Sequence, residues 1–428
     1  MNPGYFTQFV KERQAEGRLI VQPRMGFGGL EEMRAGLERV KQCGVPVIGT
    51  ITIDSFTRVN RYEDAAYALR DGHHLNGFPL ITHGAQATAA MLEGLQGPGF
   101  PVQVRHGTAL PQALFRALLD SGIDATEGGP VSYCLPYSRV PLRQAIAAWA
   151  ECCEMLAERS GRGMVCHLES FAGCMLGQLC PPSLLVALGI LEGLFFAAHG
   201  VCSLSLSFAQ GTSLVQDIAA LRVLRRLAEE FLPSDIDWHI VVYCFMGLFP
   251  RTLEGAQALL RESARLAKIG GAGRLIVKTP AEAHRIPTVE ENLDSLRLAY
   301  DVSENASYLF DQTEANTLFA EIYDHARLLT EATLELHTGI GEAIHQAFIT
   351  GRLDVPYCLH RDNANRSRSI IDPRGYLQWA SFGGMPHRAT RASGPGGAQH
   401  AVGSAALLEM LSFNQRKYDA PPRPTACE

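Results

Sequence analysis

Short apolar runs rich in Val, Ile and Leu recur along the chain at residues 19–24, 46–54, 78–84, 102–107, 125–134, 164–168, 201–208, 239–246 and 274–279. A strand buried on both faces reads as such a continuous run rather than as an alternation, so the pattern predicts parallel strands covered on both sides. Between most of them apolar positions recur with helical spacing, at 30–43, 65–70, 87–95, 111–121, 141–159, 184–199, 214–231 and 253–268. Strand and helix alternating over about 270 residues matches the ~250 of a single (β/α)8 barrel. Nine candidate strands for eight places means that one is misread or peripheral. A doubly wound open sheet is the rival, but its GxGxxG phosphate turn is missing from the strand–turn–helix setting it requires. The expected architecture is therefore α/β, a (β/α)8 TIM barrel over residues 1–300 with an appended C-terminal region over 301–428. In that extension helical spacing covers 315–330 and 332–349, and an irregular stretch follows around 356–384. A short helix over 401–413 lies between the turn-rich ASGPGGAQ and a frayed tail, APPRPTACE.

Several apolar runs end on a charged residue: Arg24 after LIVQP, Arg105 after PVQV, Glu127 in DATEGGP and Lys278 after RLIV, with Arg58 four residues beyond Asp54. Side chains leaving the same end of parallel strands converge, and in closed α/β barrels that end carries the chemistry. Each arginine presents a planar fork that pairs with carboxylate or phosphate, and one alone is as easily a structural salt bridge. Three together in a chain of net charge −6 point instead to a dianionic ligand. In EGGPVSYCLPYSR, Tyr133 and Tyr137 follow Glu127 by six and ten residues, so a largely extended segment would project all three to one side. A carboxylate among arginines and phenols could hold a substrate ammonium or act as a base. The plain alternative is an ion pair with Arg105 or Arg139 beside packed tyrosines. In VKTPAEAHRIPT, Lys278 reads either as a Schiff-base nucleophile or as a cation bonding a ligand hydroxyl. Glu282, four residues on, tends to keep it protonated and disfavours the nucleophile, while a simple Lys278–Glu282 pair is the plain reading.

Composition narrows the class. The 428 residues are 46% hydrophobic and 19% charged, enough to bury one large core and an appendage without disulfides or metals. Lys plus Arg number 38 against 44 Asp plus Glu, which gives no chain-wide attraction to nucleic acid or anionic membrane. Eleven scattered cysteines with no CxxC are the usage of reduced, buried thiols, and predict a cytoplasmic protein. The N-terminus is amphipathic and charged, without the apolar core of a signal peptide. The greasiest stretch, 184–198, is interrupted by Gly189, Glu192 and Gly193 and is too short to span a bilayer, so it reads as a buried helix. Among 14 histidines, His73, His74, His83, His106 and His167 fall near strand ends, but no HExxH-type spacing occurs and no metal site is expected. Cys166 and His167 are adjacent, which points their side chains apart in a strand and gives no cysteine nucleophile.

QPRMG, TIDSFTRVN, LNGFPLITHG, VRHGT, EGGPVSYCLPY, LCPPSLLVALGILEG, QDIAALR, FMGLFP and IVKTPAEAHRIPT run in order across residues 20–290. Together they resemble the large, barrel-forming epsilon subunit of glutamate mutase (methylaspartate mutase). That family rearranges L-glutamate to L-threo-3-methylaspartate through radicals with adenosylcobalamin, coenzyme B12. The resemblance implies that Arg24, Arg58 and Arg105 clamp the substrate carboxylates, that Glu127 engages the amino group, and that Arg105 and Glu127 are the catalytic pair. It implies a lining of Tyr133, Tyr137 and Phe171, and a contact from His106 made mainly through its backbone. On the cofactor side it implies Lys278, Glu282 and Ile286 around the adenosyl group, with Gly26, Pro136 and Phe249 nearby. Thr82 stands where the family resemblance leads one to expect asparagine. The resemblance further implies a small B12-binding partner subunit that supplies the axial histidine from its DxHxxG motif, two large chains assembling with two small ones. Here Asp71/His73 and Asp237/His239 have the DxH spacing without the glycine. A longer N-terminal lead is also expected, and CHLESFAGCMLG is unusual. The low lysine and high alanine and arginine usage suits a high-GC bacterium, where such a mutase could serve fermentation or a specialised biosynthesis. The alternatives are the same scaffold acting on another amino or hydroxy dicarboxylate, a catalytically silent partner of the small subunit, and, apart from the resemblance, a Schiff-base aldolase.

Overall fold

The computed structural model describes residues 4–175, 179–307, 311–388 and 402–420. Eight parallel strands form the centre: β1 Ile20–Pro23, β2 Gly49–Thr52, β3 Val102–Arg105, β4 Ala125–Glu127, β5 His167–Ser170, β6 Ser203–Ala209, β7 Asp237–Tyr243 and β8 Arg274–Val277. Neighbours pair in chain order, and β8 pairs with β1 in register Ile20 to Arg274. The ring closes between β1 and β2, where the Val21 amide donates to the Pro46 carbonyl at 3.0 Å and Val21 bridges Val47. The chain is thus a TIM-like α/β barrel, with every strand's C-terminal end on one face.

Helical periodicity locates the outer shell closely. The 214–231 spacing is the helix Leu214–Phe231, 253–268 is Leu253–Ile269, and 184–199 is Pro182–Ala198, whose proline occupies the first turn where its missing N–H costs nothing. The helix Pro182–Ala198 shows no single apolar stripe, because it is buried nearly all round between barrel and outer helices.

Two strand expectations need correction. Residues 78–84 are not a strand: Phe78 makes a single parallel bridge to Ile53, and the chain then turns at Pro79 into the short helix Leu80–His83. Proline has no N–H for a ladder, so an apolar run beginning FP cannot continue the sheet at that point. The run 125–134 is a strand only to Glu127. Beyond it, the amides of Tyr133, Leu135 and Ser138 donate to the carbonyls of Gly129, Val131 and Cys134, so 130–136 is a helical turn rather than extended chain.

The lower half of the barrel interior is polar. Arg274 is fully buried and ion-pairs with Glu169; its Nε donates to His239 Nε2 at 2.8 Å and a terminal nitrogen to Gln22 Oε1 at 2.7 Å. Gln22 donates in turn to Thr50 and Gln103, and His167 bonds Ser203 and Ser205. Polar groups so deep are tolerable only when their hydrogen bonds are met. Below this layer the helix Tyr5–Ala15 closes the N-terminal mouth. Phe6 stacks on His167 at 4.5 Å and lies under the Arg274 guanidinium at 4.9 Å, its amide donates to Asp124, and Thr7 meets Ser203 at 2.9 Å.

The C-terminal part adds the helices Gln312–Leu334 and Ile340–Thr350, the first packed on Leu214–Phe231 and Pro182–Ala198. The stretch expected to be irregular contains an antiparallel hairpin, Arg368–Ile371 with Leu377–Ser381. Strands of four and five residues with mixed polarity leave too little pattern to be read. Two further helices, Ser404–Leu411 and Phe413–Asp419, follow; ASGPGGAQ and, from residue 421 on, the tail expected to fray lie outside the described residues. Asp419 caps Leu253–Ile269 by accepting from the Arg251 and Thr252 amides at 2.9 and 3.0 Å. No described helix is long and apolar enough to cross a membrane.

Candidate active site

Each strand delivers its last residues to the same mouth. Arg24 follows β1, Arg58 ends the helix Ser55–Arg58 that Asp54 caps after β2, and Arg105 and Glu127 are the final residues of β3 and β4. Phe171 follows β5, Tyr243 ends β7, and Lys278 follows β8.

Glu127 is the hub. Arg105 Nε donates to its Oε2 at 2.7 Å, the Tyr133 hydroxyl donates to Oε1 at 2.5 Å, and the Tyr243 hydroxyl lies 2.8 Å from Oε2. The pair with Arg105 anticipated as the plain alternative is therefore present, yet it uses only the inner Nε of the fork. The terminal nitrogens of Arg105 make no hydrogen bond among the described residues. Burial opposes the charge on Arg105, but Glu127 and Tyr243 outweigh it and hold the guanidinium well above its ordinary range. Burial, then Glu127, lifts Tyr133 well above the usual phenol range, so it stays a donor. Tyr133 and Tyr137 reach the site one helical turn apart rather than from an extended segment. Tyr133 is buried, Tyr137 is 51% exposed at the rim, and Phe171 packs on Tyr133 at 5.1 Å and Tyr243 at 5.4 Å.

Arg24 and Arg58 retain donors. Arg24 approaches Glu282 at 3.6 Å while its Nε is buried without a partner, and Arg58, whose stem runs beside Gly107, forms no ion pair among the described residues. His106 stacks with Trp149 and meets the Tyr133 ring edge-on at 5.0 Å. Burial, then Arg58, pushes it down to about 3, so the imidazole is neutral; its Nδ1 accepts from the Thr108 amide and its Nε2 has no partner. His167 lies at the start of β5, at the opposite end from the mouth.

A second cluster adjoins the first. Lys278 Nζ is 3.6 Å from Glu282 and 5.2 Å from the centre of the Phe249 ring. Burial, then Arg24, lowers Lys278 to about 8 against the upward pull of Glu282, so it remains mostly protonated at neutral pH. The neighbouring Thr279 hydroxyl is buried without a partner, and Ile286, four residues beyond Glu282, is 62% exposed. Polar atoms with unmet hydrogen bonds next to apolar surface suit a ligand carrying hydroxyl groups. Gly26 lies so close to β2 that a Cβ would sit 2.2 Å from the Thr52 carbonyl oxygen. Pro136 is half-buried in the turn before Tyr137. Thr82 points its hydroxyl at the Tyr62 carbonyl, 3.4 Å away, and no contact among the described residues ties it to either cluster.

Nothing in the sequence pattern marks Tyr243, Glu169 and Arg274 as part of this arrangement. Tyr243 sits in WHIVVYCFM and Glu169 in CHLES, where a lone polar residue inside an apolar strand carries no spacing signal. Only the barrel register aligns them, Glu127 opposite Glu169 and Tyr243 opposite Ile276.

Residues 2–393 match the family described as methylaspartate mutase E chain. The chain is 34% identical over 397 residues to the glutamate mutase epsilon subunit of Desulfitobacterium hafniense, covering 89% of this chain and 81% of that one. It is 32% identical to those of Yersinia enterocolitica and Escherichia coli O157:H7, with the same coverage. Among solved structures, a truncated 3-deoxy-D-arabino-heptulosonate 7-phosphate synthase from Thermotoga maritima matches at 13% identity with a TM-score of 0.35, covering 71% of this chain and 88% of that one, a likeness too slight to carry an argument. By length matched and by identity alike, the chain belongs to the methylaspartate mutase E chain family.

Proposed function

We propose that this chain is the barrel subunit of an adenosylcobalamin-dependent mutase that interconverts L-glutamate and L-threo-3-methylaspartate. The observation that carries the reading is the mouth of the barrel: three arginines at or just beyond neighbouring strand ends, each with donors left unmet among the described residues, around one buried carboxylate. Arg24, Arg58 and the outer edge of Arg105 would hold two carboxylates, and Glu127 would take the ammonium. A carboxylate there favours an amino over a hydroxy dicarboxylate. Tyr133, Tyr137, Phe171 and the His106 backbone would form the wall. The Lys278, Thr279 and Glu282 cluster fits the ribose of an adenosyl group, with Ile286, Phe249, Pro136 and Gly26 facing the cofactor; Thr82, turned to Tyr62, supports no such contact.

The chemistry that the cofactor supplies when bound is homolytic hydrogen abstraction. The residues of this chain fix the diacid, keep it oriented and exclude water, so the reactive species meets only one C–H bond. Lys278, mostly a cation beside Glu282, serves as a hydrogen-bond donor rather than as an imine-forming nucleophile. Relatives are called epsilon subunits, which supports a partner, and the reading assigns the axial histidine to a small B12-binding subunit, two of each chain assembling. The test is reconstitution with a cognate small subunit and adenosylcobalamin, following glutamate by NMR. Conversion to 3-methylaspartate is expected. An assembled complex that leaves glutamate untouched but turns over another diacid would move the activity to that substrate.

A further inference from the structure

Beyond Ser183 in its first turn, the helix Pro182–Ala198 is apolar except at Glu192, which is fully buried. No cation meets this carboxylate among the described residues. Instead it reaches across to the loops at the barrel mouth. Oε1 accepts from the Val131 amide at 3.1 Å and the Ser132 amide at 2.9 Å; Oε2 accepts from the Ser132 hydroxyl at 3.1 Å and the Ser170 hydroxyl at 2.7 Å. The two amides open the helical turn over 130–136, so the carboxylate sits where such a turn leaves its donors unmet. Ser170 is the last residue of β5, and Ser132 directly precedes Tyr133. One side chain therefore joins the end of β5 to the turn after β4. The approach is tight: a Cβ on Gly129 would lie 2.2 Å from the Glu192 carboxylate, so any larger residue there would push the carboxylate out of its place.

We propose that Glu192 is a positioning residue for the substrate site, which holds the 129–133 turn against the end of β5 and thereby sets the Tyr133–Glu127 hydrogen bond and the wall made by Tyr133 and Phe171. It touches neither substrate nor cofactor, and its effect reaches the ligand through Glu127. This rests on the functional reading above for what the site binds, but not for the clamp itself. Burial lifts its carboxyl to about 7, against the hydrogen bonds from Ser132 and Ser170. The clamp does not need the charge, because serine hydroxyls can rotate to accept from an amide nitrogen as readily as they donate to a carboxylate.

That symmetry makes a sharp test. In the reconstituted complex, Glu192→Gln is expected to keep the parent KM for L-glutamate, whereas Glu192→Leu, of similar size but unable to bond the turn, raises KM at least about tenfold. Hydrogen exchange of the 128–138 peptide in the same complex should quicken in the Leu variant and match the parent in Gln. Ser132→Ala, which removes one bond and leaves the helix intact, gives a smaller shift of the same sign and serves if the Leu variant does not fold. Unchanged exchange and unchanged KM in Leu or Ser132→Ala would overturn the proposal, as would a Gln variant as impaired as Leu. If the parent complex converts no glutamate, the mutase reading falls, while exchange over 128–138 still decides whether Glu192 clamps the turn.

Discussion

At the scale of single residues, the arrangement turns on how one guanidinium divides its donors. Arg105 gives Nε to Glu127 at 2.7 Å and leaves its outer edge without a hydrogen bond among the described residues. A lysine has no second edge: its ammonium can satisfy Glu127 or the ligand, not both in plane. Arg105→Lys is therefore expected to lower kcat/KM by about 10²-fold or more, in line with losing a preorganised donor, with the fold intact by circular dichroism. Near-parent kinetics would show that the fork does not grip the substrate. Arg24, Arg58, Arg105, Glu127 and Lys278 were legible in the sequence because each follows an apolar run, and chain order alone then puts them on one face. Tyr243, Glu169 and Glu192 were not, since each is a single polar residue within an apolar segment and acquires partners only through strand register or helix packing.

At the scale of elements, the barrel alternation and the outer helices could be read from periodicity, and the failures have a local cause. Apolar composition alone does not distinguish a strand from a turn that packs its side chains inward, as 130–136 does, and Pro79 ends the ladder where the hydrophobic run continues. The N-terminal helix Tyr5–Ala15 yields a prediction of its own. Asp124, which accepts from the Phe6 amide, is raised by burial from 3.8 to about 6. A carboxyl whose value is raised on folding favours the fold while protonated, so its contribution is complete below pH 3.8 and is lost as pH rises through about 6. Asp124→Asn should remove that dependence, gaining up to about 3 kcal/mol relative to the parent across the interval, as read by urea unfolding. Parallel pH profiles for the two proteins would show that Asp124 does not govern the docking.

For the whole molecule, the buried Glu169–Arg274 pair is the joint between the barrel floor and the mouth, since Tyr243 bridges Glu169 to Glu127. Removing one member leaves the other charged, dry and unpaired. Arg274→Met is expected to cost about 3–5 kcal/mol in urea unfolding, and adding Glu169→Gln should recover part of that loss. A single variant as stable as the parent would mean that the pair relaxes to water.

The helix stopper under the barrel has a last consequence. With Phe6 seated against the first residues of several strands, the N-terminal end of the barrel is closed, so on the reading proposed above a small molecule that reaches the arginines would have to depart along its path of arrival. On that same reading, whatever covers the rim would govern entry and exit through one doorway.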